Sequence, residues 1–208
     1  MRHWLTVSVL LCLMLLCGQV QAAADISVGD LTCEYKTNPL GIDVRQPRLG
    51  WKIAAEARDV RQSAYAVQAS FSKSDLLNSE NLVWDTGKVK SGQSVHIPYT
   101  GSELHCSQRV YWRVRVWTNK GESGWSQPSF WEMGLLEAKA WQSDWIEPDL
   151  VEDDSISNPC PMLRKEFKLK DEVKWARAYV TAARSVRAAY QRRTPRGSGA
   201  HARLDLVS

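Results

Sequence analysis

The sequence predicts an all-β fold, with one antiparallel β-sandwich, the incomplete start of a second β-sandwich, and a disordered basic tail. Three observations lead to this expectation. Segments that alternate apolar and polar residues recur between residues 26 and 134, separated by turn residues, and they number about seven. That region has no stretch with a helical period of useful length. Beyond it the alternation stops, and it resumes only briefly before an arginine-rich C-terminus.

The clearest predicted strand is "RVYWRVRVWT", at residues 109–118. One of its faces is apolar and consists of Val110, Trp112, Val114 and Val116. The other face consists of Tyr111, Arg113, Arg115 and Trp117. Because successive side chains point to opposite faces of a sheet, we expect the first set in a core and the second set partly solvated. The following "TNKGES" predicts a turn, so that "SFWEMG" returns as the second strand of a hairpin.

The N-terminus, "MRHWLTVSVLLCLMLLCGQVQA", is typical of a secretory signal peptide over residues 1–22. Arg2 supplies the positive start, an apolar run follows, and small residues precede a cleavage site after Ala22. The apolar run is shorter than the ~20 residues that a membrane-spanning helix needs. We therefore expect export to the periplasm or the medium, and no membrane attachment after cleavage.

Changes in composition divide the remaining chain into four parts. Residues 26–134 contain the predicted sandwich, and residues 135–161, rich in acids, prolines and serines without a sustained period, read as a linker. Residues 162–182 resume the alternation, as two strands that start a second sandwich. Residues 183–208 form the basic tail.

The net positive charge of the chain comes from its two ends. The whole chain carries +4, of which the tail, with six arginines and one aspartate, supplies +5, and Arg2 supplies +1. The rest holds 20 basic and 22 acidic residues, a balance of −2. Such a balance gives no electrostatic indication of a nucleic-acid partner or an anionic membrane surface.

Trp117 is the one candidate for a substrate-binding residue. The chain has ten tryptophans, and an exposed indole in an exported protein could stack on a sugar. Trp117 shares the arginine-bearing face of its strand, so it could equally stack on Arg115. Trp125, between "GESG" and "SQP", is better explained as a hairpin residue, and the arginine pair of this face as surface charge.

Catalytic, metal and cofactor sites are not predicted. A glycosidase needs two carboxyl groups that flank the bond, and the sequence pairs none of the candidate acids, which are Asp85, Asp144 and Glu147. The cysteines and histidines lack the spacing of a zinc site. After signal cleavage three cysteines remain, Cys33, Cys106 and Cys160, and we expect no disulfide framework.

An ordered set of segments runs through residues 26–182. It includes "LTCEYKTNPLGID", "PRLGWKI", "RQSAYAVQAS", "VWDTGKV", "YWRVRVWTNKGESGWS", "FWEMGLL", "LRKEF" and "ARAYVTA". Together these segments resemble the N-terminal part of bacterial α-L-rhamnosidases. The resemblance implies a fibronectin-type-III-like sandwich followed by a second β-sandwich module. It also implies rhamnose-containing glycans or glycosides as partners, and hydrolysis of terminal α-L-rhamnosides with inversion in the full-length enzyme. The catalytic residues of the family have no counterpart here.

The tail departs from the family, and a shift of reading frame would explain why. With allowed codons for residues 183–208, a frame shifted by one base can read RGLYERRINGERLGEAERMPGWTSY, which resembles the family without a gap. Our hypothesis is a frameshift near residue 182 or 183. Three functions remain open: a non-catalytic fragment of an exported rhamnosidase, a self-contained exported carbohydrate-binding or adhesion module, and a binder of polyanions through the tail.

Overall fold

The structure, a computed structural model, describes residues 25–147, 149, 155–156, 162–168, 177–181, 187–193 and 201–207. The predicted signal peptide at residues 1–22 lies outside these residues. The chain divides into two compact units, Met1–Gln142 and Ser143–Ser208. In the described part of the chain, no helix combines the length and the apolar character that crossing a membrane requires.

Two antiparallel sheets form the first unit. The first sheet contains β1 (Ile26–Cys33), β2 (Arg48–Ala55) and β5 (Ile97–Pro98), in the order β1-β2-β5. The second sheet has the order β4-β3-β6-β7, and its strands are β3 (Gln62–Ser70), β4 (Trp84–Asp85), β6 (Arg109–Thr118) and β7 (Gly121–Glu122). Strand β8 (Ser129–Glu132) pairs with the first half of β6. This arrangement confirms the predicted sandwich.

One hydrophobic core lies between the two sheets. It takes Leu49 and Trp51 from β2 and the whole predicted apolar face of β6, namely Val110, Trp112, Val114 and Val116, all fully buried. Trp131 of β8 lies in the same core, with its ring centroid 6.4 Å from that of Trp112. The period-two pattern of β6 therefore predicted this part of the core correctly.

The second face of β6 is more buried than the sequence predicted. Arg113, expected to be partly solvated, is only 6% exposed. Helix α1 (Lys73–Asn78) contacts both β3 and β6, and Trp125 lies over the Arg113 side chain. Because a helix and an indole ring cover this face, alternation alone could not show that it is shielded from water.

Helix α1 itself lies in the region where the sequence showed no stretch with a helical period. Its N-cap is Ser72, whose Oγ accepts a hydrogen bond from the backbone N–H of Asp75, and Asp75 adds an acid to the first turn. Ser79 ends the helix in the left-handed conformation. With six residues and a single buried side chain, Leu76, the helix is too short to produce a recognisable period.

The second unit contains β9 (Met162–Lys168), β10 (Arg187–Arg193) and β11 (His201–Val207). They form a three-stranded antiparallel sheet in the order β10-β11-β9. Strand β9 (Met162–Lys168) is the first of the two strands predicted for residues 162–182. Residues 177–181 have no regular secondary structure, and residues 169–176 lie outside the described residues. The second strand predicted within residues 162–182 therefore stays a prediction. The predicted linker contains a 3₁₀ helix, Ala138–Ala140, and the division between the two units.

Two strands lie within the tail. They are β10 (Arg187–Arg193) and β11 (His201–Val207), paired from Arg187 with Val207 to Arg193 with His201. The disorder expected for residues 183–208 stays a prediction. In "HARLDLV" three apolar residues, Ala202, Leu204 and Leu206, alternate with polar ones, which suits a strand.

Candidate functional site

Trp117, the predicted contact residue, lies on the second face of β6 near the end of the strand. Its indole is half-buried. The Nζ atom of Lys88 lies 4.2 Å from the ring centroid, and the Cζ atom of Arg115 lies 4.3 Å from it. Two cations therefore contact this half-buried ring, and each is attracted electrostatically to the face of the indole.

The contacts continue along the sheet as a cation–aromatic row, which we define as Lys88, Trp117, Arg115, Trp125 and Arg113. The Trp125 ring centroid lies 5.6 Å from Cζ of Arg115 and 4.6 Å from Cζ of Arg113. Arginine and indole thus alternate over the outer face of the second sheet. The row covers this face with its own side chains, and stacking of Trp117 on Arg115 was the alternative left open by the sequence. A role of Trp117 in ligand binding stays a prediction.

Arg113 anchors the buried end of the row. Its Nε and Nη2 atoms donate hydrogen bonds to Oε1 of Gln68, at 3.2 and 2.8 Å, and Nη2 also donates to Oγ of Ser79, at 2.8 Å. Burial lowers the pKa of this guanidinium, and the nearby Asp85 carboxylate opposes that shift. Because Nε and Nη2 already donate to Gln68 and Ser79, Arg113 has a structural role in the sheet.

The two arginines of the row do not form an anion clamp. Arg113 donates to neutral side chains within the protein, and Nη2 of Arg115 lies 3.8 Å from a carboxylate oxygen of Glu122. One guanidinium is thus buried, and the other is already beside an acid. The sequence-based interpretation of this pair as ordinary charge holds for Arg115 only, because Arg113 is not a surface residue.

The candidate acids lie in separate settings. Asp85, at the end of β4, accepts hydrogen bonds from the Gln68 side chain at 3.0 Å and from the backbone N–H of Gly87 at 2.8 Å. Asp144 and Glu147 are exposed and belong to the second unit. Among the described residues, no group of three or more histidine, cysteine, aspartate or glutamate side chains could hold a metal ion.

A second cluster, which sequence reasoning missed, surrounds Tyr35 at the turn after β1. The Tyr35 pocket, as we call it, is a shallow depression lined by Thr32, Glu34, Tyr35, Arg48, Leu49, Gly50, Val95 and His96. The Tyr35 hydroxyl is hydrogen-bonded to Nε2 of His96 at 2.6 Å. These two residues are 61 positions apart, so neither alternation nor a local motif could bring them together in a sequence-based prediction.

An ion pair forms one wall of the Tyr35 pocket. The Glu34 carboxylate accepts hydrogen bonds from the backbone N–H of Arg48 and from Nη2 of Arg48, both at 2.6 Å. These bonds hold the pKa of Glu34 below its usual range, against the opposing effect of burial. The carboxylate therefore stays ionised at neutral pH and neutralises the guanidinium beside it.

The two described cysteines, Cys33 and Cys106, carry free thiols. Cys33 is buried in the core, and burial, aided by the Glu34 carboxylate, raises the pKa of its thiol to about 12. Cys106 is half-buried, and its Sγ atom accepts a hydrogen bond from the backbone N–H of Leu136 at 3.2 Å. Cys160 lies outside the described residues, so its pairing stays untested.

The first unit has two antiparallel sheets packed around one core, and it carries the cation–aromatic row and the Tyr35 pocket on its surface. This architecture defines it as an immunoglobulin-like β-sandwich module. Residues 28–137 match the family model described as the Rha78A-like, N-terminal immunoglobulin domain. The chain belongs to this family. The resemblance stated from sequence, to the N-terminal part of the rhamnosidases, is confirmed. Fibronectin type III and immunoglobulin domains share the sandwich architecture, so the predicted fold class also holds.

The chain is also similar to curated proteins named α-L-rhamnosidase. An α-L-rhamnosidase of Streptomyces avermitilis is 46% identical over 114 residues, which are 54% of this chain and 11% of that protein. An α-L-rhamnosidase of Alteromonas sp. strain LOR is 37% identical over 152 residues, which are 70% of this chain and 16% of that protein. The chain therefore spans only a small part of the length of these relatives.

Solved structures show the same fold. The α-L-rhamnosidase of Dictyoglumus thermophilum superimposes with a TM-score of 0.65 at 25% identity, over 86% of this chain and 25% of that chain. The Streptomyces avermitilis α-L-rhamnosidase, solved in complex with L-rhamnose, superimposes with a TM-score of 0.56 at 27% identity, over 88% of this chain and 22% of that chain.

Proposed function

We propose that this chain is the non-catalytic N-terminal module of an exported α-L-rhamnosidase, a glycoside hydrolase. The full-length form would hydrolyse terminal α-L-rhamnosides with inversion. One observation carries the proposal: the family match at residues 28–137 covers the sandwich, and the chain covers only 11% and 16% of two rhamnosidases of known name. Rhamnose-containing glycans or glycosides are then the substrates of the longer protein.

The arrangement of carboxylates supports a non-catalytic role for the first unit. Glycoside hydrolysis with inversion needs two carboxyl groups about 6.5–9.5 Å apart, on either side of the bond. In the described part of this unit, Asp85 is engaged by Gln68 and Gly87, and Glu34 is engaged by Arg48. Both acids therefore hold the protein's own backbone and side chains in place.

Export is the second part of the proposal. The signal peptide predicted at residues 1–22 would direct the protein to the periplasm or the medium. The test is N-terminal sequencing of the protein recovered from each fraction of the producing cell. A mature protein that begins at Ala23 outside the cytoplasm supports export, and a cytoplasmic protein that keeps Met1 overturns it.

The frameshift near residue 182 or 183 is the third part, and the nucleotide sequence tests it. The family-like string obtained in the shifted frame supports it, together with the confinement of positive charge to the tail. We expect the codons downstream of Thr181, read one base later, to spell a sequence close to that string and to continue in an open frame. Codons that spell something unrelated overturn the frameshift and leave the family assignment intact.

A further inference from the structure

We propose that the Tyr35 pocket binds an uncharged saccharide, with a 6-deoxy-pyranose such as L-rhamnose as the preferred ring. The pocket lies on the first sheet, on residues that neither the family match nor the relatives assign to any role. The choice of a rhamnoside rests on the proposed function, whereas the choice of a saccharide rests on the geometry of the pocket itself.

The aromatic ring at the centre of the pocket is exposed and yet held in place. Tyr35 is 66% exposed. Its hydroxyl is hydrogen-bonded to His96, whose ring meets the Tyr35 ring edge-on, with centroids 5.5 Å apart at 85°. Cζ of Arg48 lies 5.3 Å from the Tyr35 centroid. A ring fixed before binding loses little conformational entropy when a ligand stacks on it.

Unusual backbone geometry supports the same site. Glu34, Tyr35 and His96 have φ angles of 46°, 62° and 57°, in the left-handed region that non-glycine residues seldom adopt. Surrounding bonds hold this conformation: Glu34 N–H donates to the carbonyl of Arg48 at 2.9 Å, and Lys36 N–H donates to the carbonyl of Cys33 at 3.0 Å. The tight turn that pairs Cys33 with Lys36 accounts for the left-handed backbone of Glu34 and Tyr35. His96 is thus the pocket residue whose positive φ no such turn explains, and backbone strain of this kind concentrates at binding sites.

The charges of the pocket favour a neutral ligand. Arg48 carries the positive charge of the pocket. Its Nε and Nη2 atoms donate hydrogen bonds to the Glu34 carboxylate, which neutralises that charge. An anion would have to compete with that carboxylate for the guanidinium. A sugar hydroxyl needs only one donor or acceptor, and among the described residues no bond occupies Nδ1 of His96 or Nη1 of Arg48.

An exposed apolar side chain beside the ring favours a deoxy sugar. Val95 is 53% exposed and lines the pocket next to His96. A pyranose presents its C–H groups to an aromatic face, and a 6-deoxy sugar adds a methyl group that can cover an aliphatic side chain. Tyr35 would stack on the ring, His96 would bond a hydroxyl, and Val95 would contact the methyl group.

The test is a titration of the purified full chain, labelled with ¹⁵N, with methyl α-L-rhamnoside, followed by NMR. We expect saturable shifts at the pocket residues and a dissociation constant of about 1–10 mM, which suits a shallow site. Methyl α-L-mannoside, which differs only by the hydroxyl on C6, should bind several-fold more weakly. Equal affinity for the two sugars overturns the preference for a deoxy ring.

Substitutions at Tyr35 and His96 locate the site. Asparagine is chosen for both because it tolerates a left-handed backbone. Tyr35→Asn and His96→Asn should each weaken binding about tenfold or more, and Val95→Ala should remove the preference for the rhamnoside. Phe71→Ala, at another exposed aromatic residue, should leave binding unchanged. If one asparagine variant fails to fold by circular dichroism, the other and Val95→Ala still decide.

Absence of saturation by the native chain up to about 50 mM sugar, far above the expected constant, overturns the saccharide site. Unchanged affinity in the folded pocket variants does the same. Neither result bears on the proposed function, which is tested by the nucleotide sequence of the gene and by the rhamnosidase activity of the chain. Conversely, binding that is lost in these variants supports the site even if the chain proves to be a self-contained module.

Discussion

The guanidinium carbon of Arg113 lies 4.6 Å from the centre of the Trp125 ring, while Nη2 of the same group donates to Gln68 at 2.8 Å. This relationship joins the loop after β7 to β6 and to its neighbour β3. Because β6 also presents an entirely buried apolar face to the core, the strand is covered on both sides. The stability of the first unit should therefore depend on the side chains of both faces of β6.

Replacement of Arg113 by alanine should reduce the free energy of unfolding by about 2–4 kcal/mol. The change leaves the buried Gln68 oxygen without two donors and removes the cation over Trp125. Urea unfolding followed by tryptophan fluorescence measures the effect. Arg115→Ala is the matched control and should cost about 1 kcal/mol or less, because Arg115 is partly solvated. Equal losses for the two variants would contradict this assignment.

Replacing a leucine by alanine should reduce the free energy of unfolding much more in the core than on the surface. Leu49, on β2, is 1% exposed, and Leu49→Ala should cost about 2–5 kcal/mol through the cavity that it leaves. Leu40, in the loop before β2, is half-exposed, and Leu40→Ala should cost about 0.5 kcal/mol or less. The midpoints of urea unfolding measure both. A large loss at Leu40 would show that this loop is covered in the protein.

Acid should weaken the contact between Glu34 and Arg48. The pKa of Glu34 is lowered in the folded state, chiefly by the side-chain hydrogen bonds from Arg48. Its contribution to stability is therefore complete above the unfolded value of about 4.3 and is lost as the pH falls through the lower, folded value. The difference in unfolding free energy between the native chain and Glu34→Gln should shrink between pH 7 and pH 3. A constant difference would count against the ion pair.

The Cys33 thiol should be inert in the folded protein. Its pKa is raised to about 12, and the side chain lies in the core. At pH 8 a maleimide should leave the peptide that contains Cys33 unlabelled, whereas addition of denaturant should label it fully, because a thiolate must form and be accessible. Peptide mapping by mass spectrometry reads each cysteine separately. Rapid labelling of Cys33 without denaturant would contradict its burial.

Local patterns predicted the sandwich, because alternation follows directly from the geometry of a strand. Val110, Trp112, Val114 and Val116 could be assigned to the core on this basis. Arg113 could not, because its burial depends on a helix and a tryptophan that reach its face from elsewhere in the chain. The stacking of Trp117 on Arg115 was foreseen as one alternative, since both residues share a face of one strand.

Features that depend on distant residues or on short elements escaped prediction. The Tyr35 pocket joins a turn after β1 to a loop before β5, and only the folded chain brings Tyr35 and His96 together. Helix α1 is too short to show a period.

The most direct test of the central proposal is the rhamnosidase activity of this chain alone. Purified protein would be incubated with an aryl α-L-rhamnoside, and release of rhamnose would be measured beside a full-length rhamnosidase as a positive control. A non-catalytic module predicts release at the level of the buffer blank. Release that increases in proportion to the concentration of the chain would contradict the proposal, because the catalytic carboxylates would then have to lie within these 208 residues.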